Sequence, residues 1–260
     1  MVDLHSHILP GIDDGAKNVE ESIKIAKLAV EDGITRMIAT PHYDFEDRDF
    51  SKRVLFETDE LNNILKKENV PLTIYPGTEV LLNGTVLREL EEGKILTLNR
   101  SKYLLVEFHL DHLPHRTNEL LYEVRLLGYT PVIAHPERYR EVQRNINLVK
   151  EWVEQGNRIQ MNATSIVGVN GDAPRDAAKH LLKHHMVHLM GSDTHSPRNR
   201  KPRMTDAMKI VKQWVGEDIA EELLGNNGKV FRDERIDEKI PIPYPEAYNY
   251  FKRVKEKFNL

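Results

Sequence analysis

The sequence predicts an α/β protein, a distorted (β/α)7 TIM-like barrel with its functional site at the C-terminal ends of the strands. Short apolar strand-like runs alternate seven times with amphipathic helical segments. Each run ends in a polar, chemistry-bearing residue: His5 and His7, His42, Glu79, Glu107, His135, Asn162, and Asp193 with His195. No break in composition and no internal repeat divides residues 1–231. Alternation alone also fits an open, doubly wound sheet. A barrel, however, assembles its site from the ends of many strands, whereas an open sheet uses one crevice, so the polar ends favour the barrel.

VDLHSH (residues 2–7) reads as the first strand. Asn18 with Glu21 three residues on resembles a capping box, and SIKIAKLAVED keeps apolar residues at helical spacing until Gly33. GITRMIATPHY gives the second strand and a charged stretch from about Ser51 to Glu68 the second helix. LTIYPGTEV reads as the third strand, followed by a helical segment near 83–93. YLLVEF, TPVIAHPE, RIQMNA and VHLMGSDTH supply the remaining four strands. Helical segments near 117–127, 145–155 and 174–185 separate them, the first two closed by Gly128 and Gly156. From about 232 to 260 the chain changes: prolines at 241, 243 and 245 precede a basic, aromatic, helix-like stretch. That segment reads as a tail packing loosely on the barrel or lying in solvent. The whole chain, 1–260, is expected to form a single domain.

With 260 residues and 40% hydrophobic content, a sizeable core is available. The formal charge of −4 leaves no basic surplus of the kind that wraps nucleic acid. No apolar run approaches the ~18 residues of a membrane helix, and the N-terminus lacks the pattern of a signal peptide. A soluble, cytoplasmic protein is expected. The absence of cysteine excludes disulfides, thiolate metal sites, Fe–S clusters and cysteine nucleophiles. Twelve histidines and 41 acidic residues remain, so any metal must be held by nitrogen and oxygen.

In a strand, residues two apart share a face, so His5 and His7 point into one barrel mouth and can grip one cation. One such pair is a weak signal. His42, Glu79, Glu107, His135, Asp193 and His195 at corresponding strand ends make it a strong one. Without cations, clustered carboxylates and buried imidazoles would be costly to desolvate. An acid of the IDDG loop, Asp13 or Asp14, brings the candidate ligands to nine, more than one ion can use. At least two ions are expected, with Glu79 able to bridge them. Imidazole and carboxylate without thiolate suit Mn, Fe or Zn. Positive charge follows two strand ends, at Arg138 and Arg140 and at Arg198, Arg200, Lys201 and Arg203. Guanidinium forks match phosphate oxygens.

HSH with IDDG, then TPHY, GTEV, LLVEF, PVIAHPERY and GSDTH, resembles the ordered motifs of the PHP (polymerase and histidinol phosphatase) superfamily. Within it, the pattern over about residues 1–231 is most similar to the bacterial manganese-dependent tyrosine-protein phosphatases of capsule and exopolysaccharide synthesis. The resemblance implies a barrel of the PHP type carrying a three-ion cluster, with Mn as occupant and Fe, Zn or Mg as alternatives. It assigns His5 and His7 to the H-x-H pair, Asp14 to the loop acid and His42 to the strand-two histidine. Glu79 and Glu107 match the two glutamates, His135 the strand-five histidine, and Asp193 with His195 the closing D-x-H; Asp13 remains a supporting or turn residue. Arg138 and Arg200 match the phosphate-holding arginines, and Arg203 is the nearest competitor to Arg200. Asp14 or a neighbouring histidine is the candidate proton donor.

The reaction expected is hydrolysis of phosphotyrosine by a hydroxide bridging two metals, in line with the leaving oxygen and without a phosphoenzyme. The resemblance further implies a protein substrate, the tyrosine-rich tail of a bacterial tyrosine kinase that controls polysaccharide export. Three alternatives stand beside it. A histidinol-phosphate or other small-molecule phosphatase would use the same barrel and metals. A metal-dependent amidohydrolase also begins with H-x-H, but commonly has a lysine at the end of strand four, where this chain has Glu107. A non-catalytic, metal-stabilised module could bind phosphotyrosine without cleaving it.

Overall fold

The computed structural model describes residues 1–237 and 239–245. The basic, aromatic stretch expected near the C-terminus lies outside the described residues. Among the described residues, eight short strands run parallel: Val2–Ser6 (β1), Arg36–Ala39 (β2), Thr73–Pro76 (β3), Glu79–Leu81 (β4), Tyr103–Glu107 (β5), Thr130–Ala134 (β6), Arg158–Asn162 (β7) and Leu189–Gly191 (β8). They form two arcs, β1-β2-β3 and β4-β5-β6-β7-β8. Isolated parallel bridges connect the arcs at both seams, Ser6 with Thr194 and His42 with Glu79. The expected barrel is therefore present in distorted form.

The helices are Val19–Glu31 (α1), Phe50–Lys67 (α2), Gly84–Glu91 (α3), Thr117–Leu126 (α4), Arg140–Arg144 (α5), Asn147–Glu154 (α6), Ala163–Ile166 (α7), Asp172–Lys183 (α8), Met204–Val215 (α9) and Glu217–Phe231 (α10). The anticipated cap holds: Asn18 Oδ1 accepts from Glu21 N at 3.0 Å, and Glu21 reaches back to Lys17 N at 3.1 Å. α9 and α10 are additions to the sequence reading. Their apolar residues Ala207, Val211, Ala220 and Leu223 are buried against the body. Among the described residues, no helix is long and apolar enough to cross a membrane.

One strand differs from expectation. LTIYPGTEV breaks into β3, paired with β2, and β4, paired with β5. Pro76 cannot donate a ladder hydrogen bond, and Gly77 passes so close to β2 that an added Cβ would lie 2.9 Å from Ile38 Cγ2. The break places Glu79 at a seam between the arcs, where its backbone pairs with the segment carrying His42.

Strand alternation sorts the core into two parts. Leu4, Ile38, Leu105 and Val132 join one buried cluster inside the ring of strands. Met37, Leu104 and Ile133 join the cluster packed against the helices. The register of β1 on β2 shifts between Asp3 and Ser6. This bulge reverses the alternation, so Leu4 fills the interior and the very next residue, His5, still enters the site. At the other end of the ring, Ile236 is buried in the inner cluster, and Tyr103 Oη donates to Glu234 O at 2.8 Å. Further on, Tyr244 exchanges two hydrogen bonds with Asn147, at 2.8 and 3.0 Å. The described part of the segment after α10 is thus tied to the body.

Candidate metal centre

His5 and His7 enter the site from β1, and the chain then turns sharply through residues 9–15. Ala16 N donates to His7 O at 3.0 Å. At Gly15 a Cβ would fall 2.1 Å from that same carbonyl, so no other residue fits without moving the loop. Asp13 accepts from three groups: His7 Nδ1 at 2.6 Å, Gly15 N at 2.9 Å and His42 N at 3.0 Å. Its neighbour Asp14 faces the site, with Oδ1 3.4 Å from His195 Nε2 and 3.6 Å from His42 Nε2. The two aspartates therefore divide the work: one orients an imidazole, the other presents an oxygen to the cluster.

Glu79 is the hub. Its Oε2 lies 3.1 Å from His5 Nε2, 3.3 Å from His7 Nε2 and 3.3 Å from His42 Nδ1, while Oε1 lies 3.0 Å from His135 Nε2. Asp193 Oδ1 stands 3.5 Å from both His5 and His7 Nε2, and Glu107 Oε1 stands 3.0 Å from His42 Nδ1. All nine side chains expected as ligands are brought together. Their donor atoms fall into four overlapping groups: His7, Asp14, His42 and His195; His5, His7 and Asp193; His5, Glu79 and His135; His42, Glu79 and Glu107. Of the shared members, Glu79 has two oxygens and could serve two adjacent ions, whereas the Nε2 of His5 or His7 can ligate only one.

The chemistry of this donor set fits metal ions. Glu79 Oε2 is buried without a hydrogen bond although imidazole nitrogens surround it. Burial pushes the Glu79 carboxyl up, but the imidazoles of His5, His135 and His7 together hold it well below its ordinary range. Asp193 is likewise held down against burial by His5, His7, Arg200 and His195. The compensation appears on the other side: burial lowers His42, yet Glu107 and Glu79 raise it to about 9. The hydrogen bond from His195 holds the Asp14 carboxyl below its ordinary range. The buried carboxylates of Glu79 and Asp193 demand positive charge, which the protein alone supplies by protonating imidazoles and which cations would supply while leaving them free to ligate.

Further residues fix the ligands, and the sequence reading had not assigned them. Gln160 Oε1 sits 2.9 Å from His5 Nδ1; an amide oxygen only accepts, so the proton stays on Nδ1 and Nε2 faces the cluster. Gln160 Nε2 donates to Asn162 Oδ1 at 3.0 Å, and Asn162 Nδ2 to Asp193 Oδ2 at 2.6 Å. Asp3, fully buried, accepts from Ser192 N at 2.9 Å and ties β1 to β8. Gly191 leaves room for this arrangement, since a Cβ there would lie 2.7 Å from both His5 Cβ and Gln160 Nε2. The available signal was polarity at alternate positions of a strand whose residues are all buried. His135 and Asp193 have φ of 35° and 51°, sparsely populated for side-chain-bearing residues and held here by the surrounding contacts.

Two arginines converge on the cluster. Arg138 Nη1 lies 3.2 Å and Arg200 Nη2 2.6 Å from the same oxygen, Asp193 Oδ2. Both line a cavity of about 260 Å³ whose remaining walls are Leu110 and seven of the nine clustered residues, all but His5 and His7. Arg200 is positioned by its own carbonyl, which accepts from His195 N at 3.0 Å and Thr194 Oγ1 at 2.8 Å. Arg203, at the start of α9, does not line this cavity. Arg140 pairs with Asp111 at 3.0 Å on the exposed rim.

The sequence matches the family described as capsular polysaccharide synthesis, CpsB/CapC, over residues 1–232. It is 35% identical over 246 residues to the tyrosine-protein phosphatase YwqE of Bacillus subtilis, covering 94% of this chain and 96% of that protein. It is 31% identical over 251 residues to the tyrosine-protein phosphatase CpsB of Streptococcus pneumoniae, covering 91% of this chain and all of that protein. The fold agrees at a TM-score of 0.91, with 35% identity over 94% of this chain and 100% of the other, with a solved structure from work on YwqE and CpsB as unique metal-dependent tyrosine phosphatases. The chain belongs to the CpsB/CapC family of capsular polysaccharide synthesis.

Proposed function

We propose that this chain is a metal-dependent protein-tyrosine phosphatase that acts in capsule or exopolysaccharide synthesis. The observation that carries the reading is the convergence of Arg138 and Arg200 on Asp193 at the rim of a nine-residue imidazole and carboxylate cluster. Similarity to phosphatases across nearly the whole chain supports it. The four overlapping ligand groups would hold the ions; the all-nitrogen-and-oxygen donor set suits Mn, Fe or Zn, and the resemblance to manganese-dependent phosphatases selects manganese among them. When bound, such ions supply Lewis acidity, lowering the pKa of water and offsetting phosphoryl charge.

The chain's own residues do the rest. Each arginine uses one nitrogen on Asp193 and keeps further N–H donors for phosphate oxygens. Gln160 and Asp13 hold His5 and His7 with Nε2 toward the cluster. Asp14, kept ionised, serves as a ligand, and a phenolate with pKa near ~10 leaves without a strong proton donor. The whole chain, 1–260, acts as one domain in the cytoplasm, where a kinase consumes ATP. Its substrate is the tyrosine-rich tail of the kinase that governs polysaccharide export.

The experiment is a substrate panel with manganese: a phosphotyrosine peptide, its phosphoserine counterpart and histidinol phosphate. Fastest phosphate release from the phosphotyrosine peptide is expected. Faster cleavage of histidinol phosphate would transfer the function to a small-molecule phosphatase, and binding without release would make the chain a recognition module.

A further inference from the structure

A second cavity, of about 470 Å³, adjoins the metal centre and shares His42, Glu79, Glu107 and Leu110 with it. Its other walls are unlike the first: Tyr43, Phe45, Leu81 and Phe108 make it largely aromatic and aliphatic, with His109 at the exposed edge. The two cavities thus adjoin along these shared residues, a charged half beside an apolar half. We propose that the apolar half is an aryl subsite, holding the phenyl ring of the substrate while its phosphate lies at Arg138 and Arg200. The inference rests on the phosphatase reading and adds the residues that select an aromatic ester.

The walls are built to stay in place. Tyr43 meets Phe45 edge-on at 5.1 Å between centroids and Phe50 at 5.2 Å. Phe108 N donates to Tyr139 Oη at 3.1 Å, and Tyr139 donates onward to Ala134 O at 2.8 Å. The loop carrying Leu110 is clamped by Arg140, whose backbone N–H donates to Leu110 O at 2.9 Å and whose side chain pairs with Asp111. Leu110 itself is 37% exposed, an apolar side chain left at the junction of the two halves. A preformed apolar recess beside a few convergent polar groups is the form that small aromatic ligands select, since the ring leaves water while the charged end keeps its partners. A phosphoserine has no ring to fill the recess.

Phenylphosphonate and methylphosphonate, which cannot be hydrolysed at the P–C bond by this chemistry, separate the halves. Calorimetric titration of the manganese-loaded protein is expected to show phenylphosphonate binding about 10-fold tighter than methylphosphonate, from burial of the ring. Phe45→Ala should remove most of that preference while leaving methylphosphonate affinity and metal content unchanged, and Leu110→Ala, at the junction of the halves, should lower phenylphosphonate affinity more than methylphosphonate affinity. Leu110, partly exposed, keeps the test usable if the Phe45 variant unfolds. Equal binding of both phosphonates by the unaltered protein, or a preference that survives both substitutions, would overturn the aryl subsite. Parallel turnover of a phosphotyrosine peptide distinguishes the two failures: turnover without a phenyl preference sinks the subsite alone, whereas a phenyl preference without turnover supports the subsite and sinks the phosphatase reading.

Discussion

Replacing Asp13 with alanine is expected to weaken manganese binding without removing any ligand. Asp13 Oδ2 is 2.6 Å from His7 Nδ1 and 3.0 Å from His42 N, and Oδ1 accepts from Gly15 N at 2.9 Å. The substitution therefore frees the His7 ring to rotate or change tautomer, and loosens the backbone that carries His42. Loss of a carboxylate supporting a metal-ligating histidine costs about 10- to 100-fold in metal affinity, or ~1.4–2.7 kcal/mol. The two orphaned backbone donors add a loss of folding stability of ~1–3 kcal/mol each if water does not replace the carboxylate. Competition with a fluorescent chelator measures the affinity, and denaturant unfolding of the metal-free protein measures the stability. Reduced stability with unchanged manganese affinity would refute the orienting role and leave Asp13 as a turn residue.

Three other outcomes are expected. The double variant His5→Ala, His7→Ala should lose metal and turnover while retaining the far-ultraviolet circular dichroism of the fold, because these ligands sit at the mouth rather than in the packed layers; unaltered metal stoichiometry would contradict their assignment. Arg138→Ala should lower turnover of phosphotyrosine by ~100-fold with metal retained, whereas Arg203→Ala, outside the cavity, should change it little; the reverse order would exchange their roles. His188 should make the fold acid-sensitive: burial, with Arg158 and Lys239 nearby, lowers its pKa from 6.5 to about 3. The unfolded chain then binds a proton that the folded chain refuses, so stability falls as pH drops from 6.5 toward 3, by up to ~1.4 kcal/mol per pH unit. Because its Nδ1 accepts from Ile159 N, His188→Asn can keep an acceptor there and should flatten the fall of melting temperature below pH 6; an unchanged slope would assign the acid sensitivity elsewhere.

The nine-residue cluster was legible because it depends on strand ends, which periodicity locates well. His5 and His7 share a face whatever the rest of the fold does, and the remaining ligands each close an apolar run. The break between β3 and β4 was less visible, since Pro76 and Gly77 sit within a run that otherwise alternates as one strand. Nor could periodicity show the β1 bulge, which depends on the register against β2. Gln160 and Asn162 act through hydrogen bonds to residues far away in sequence, 155 residues in the case of Gln160 and His5 and 31 in that of Asn162 and Asp193, while Asp13, six residues from His7, could be read only as a supporting or turn residue. Arg200 and Arg203 were separable only once the backbone bonds from Thr194 and His195 to Arg200 O had fixed the direction of their loop.

The central claim is that one cluster of nine side chains holds several ions and that these ions are needed to cleave phosphotyrosine. Its most direct test is a titration of metal-stripped protein with manganese, following bound metal and phosphate release from a phosphotyrosine peptide in the same samples. Activity should be absent in the stripped protein, rise with the metal, and reach its plateau only when more than one ion is bound per chain, three being the number implied by the family. Full activity without metal, or with a single ion per chain, would contradict the claim.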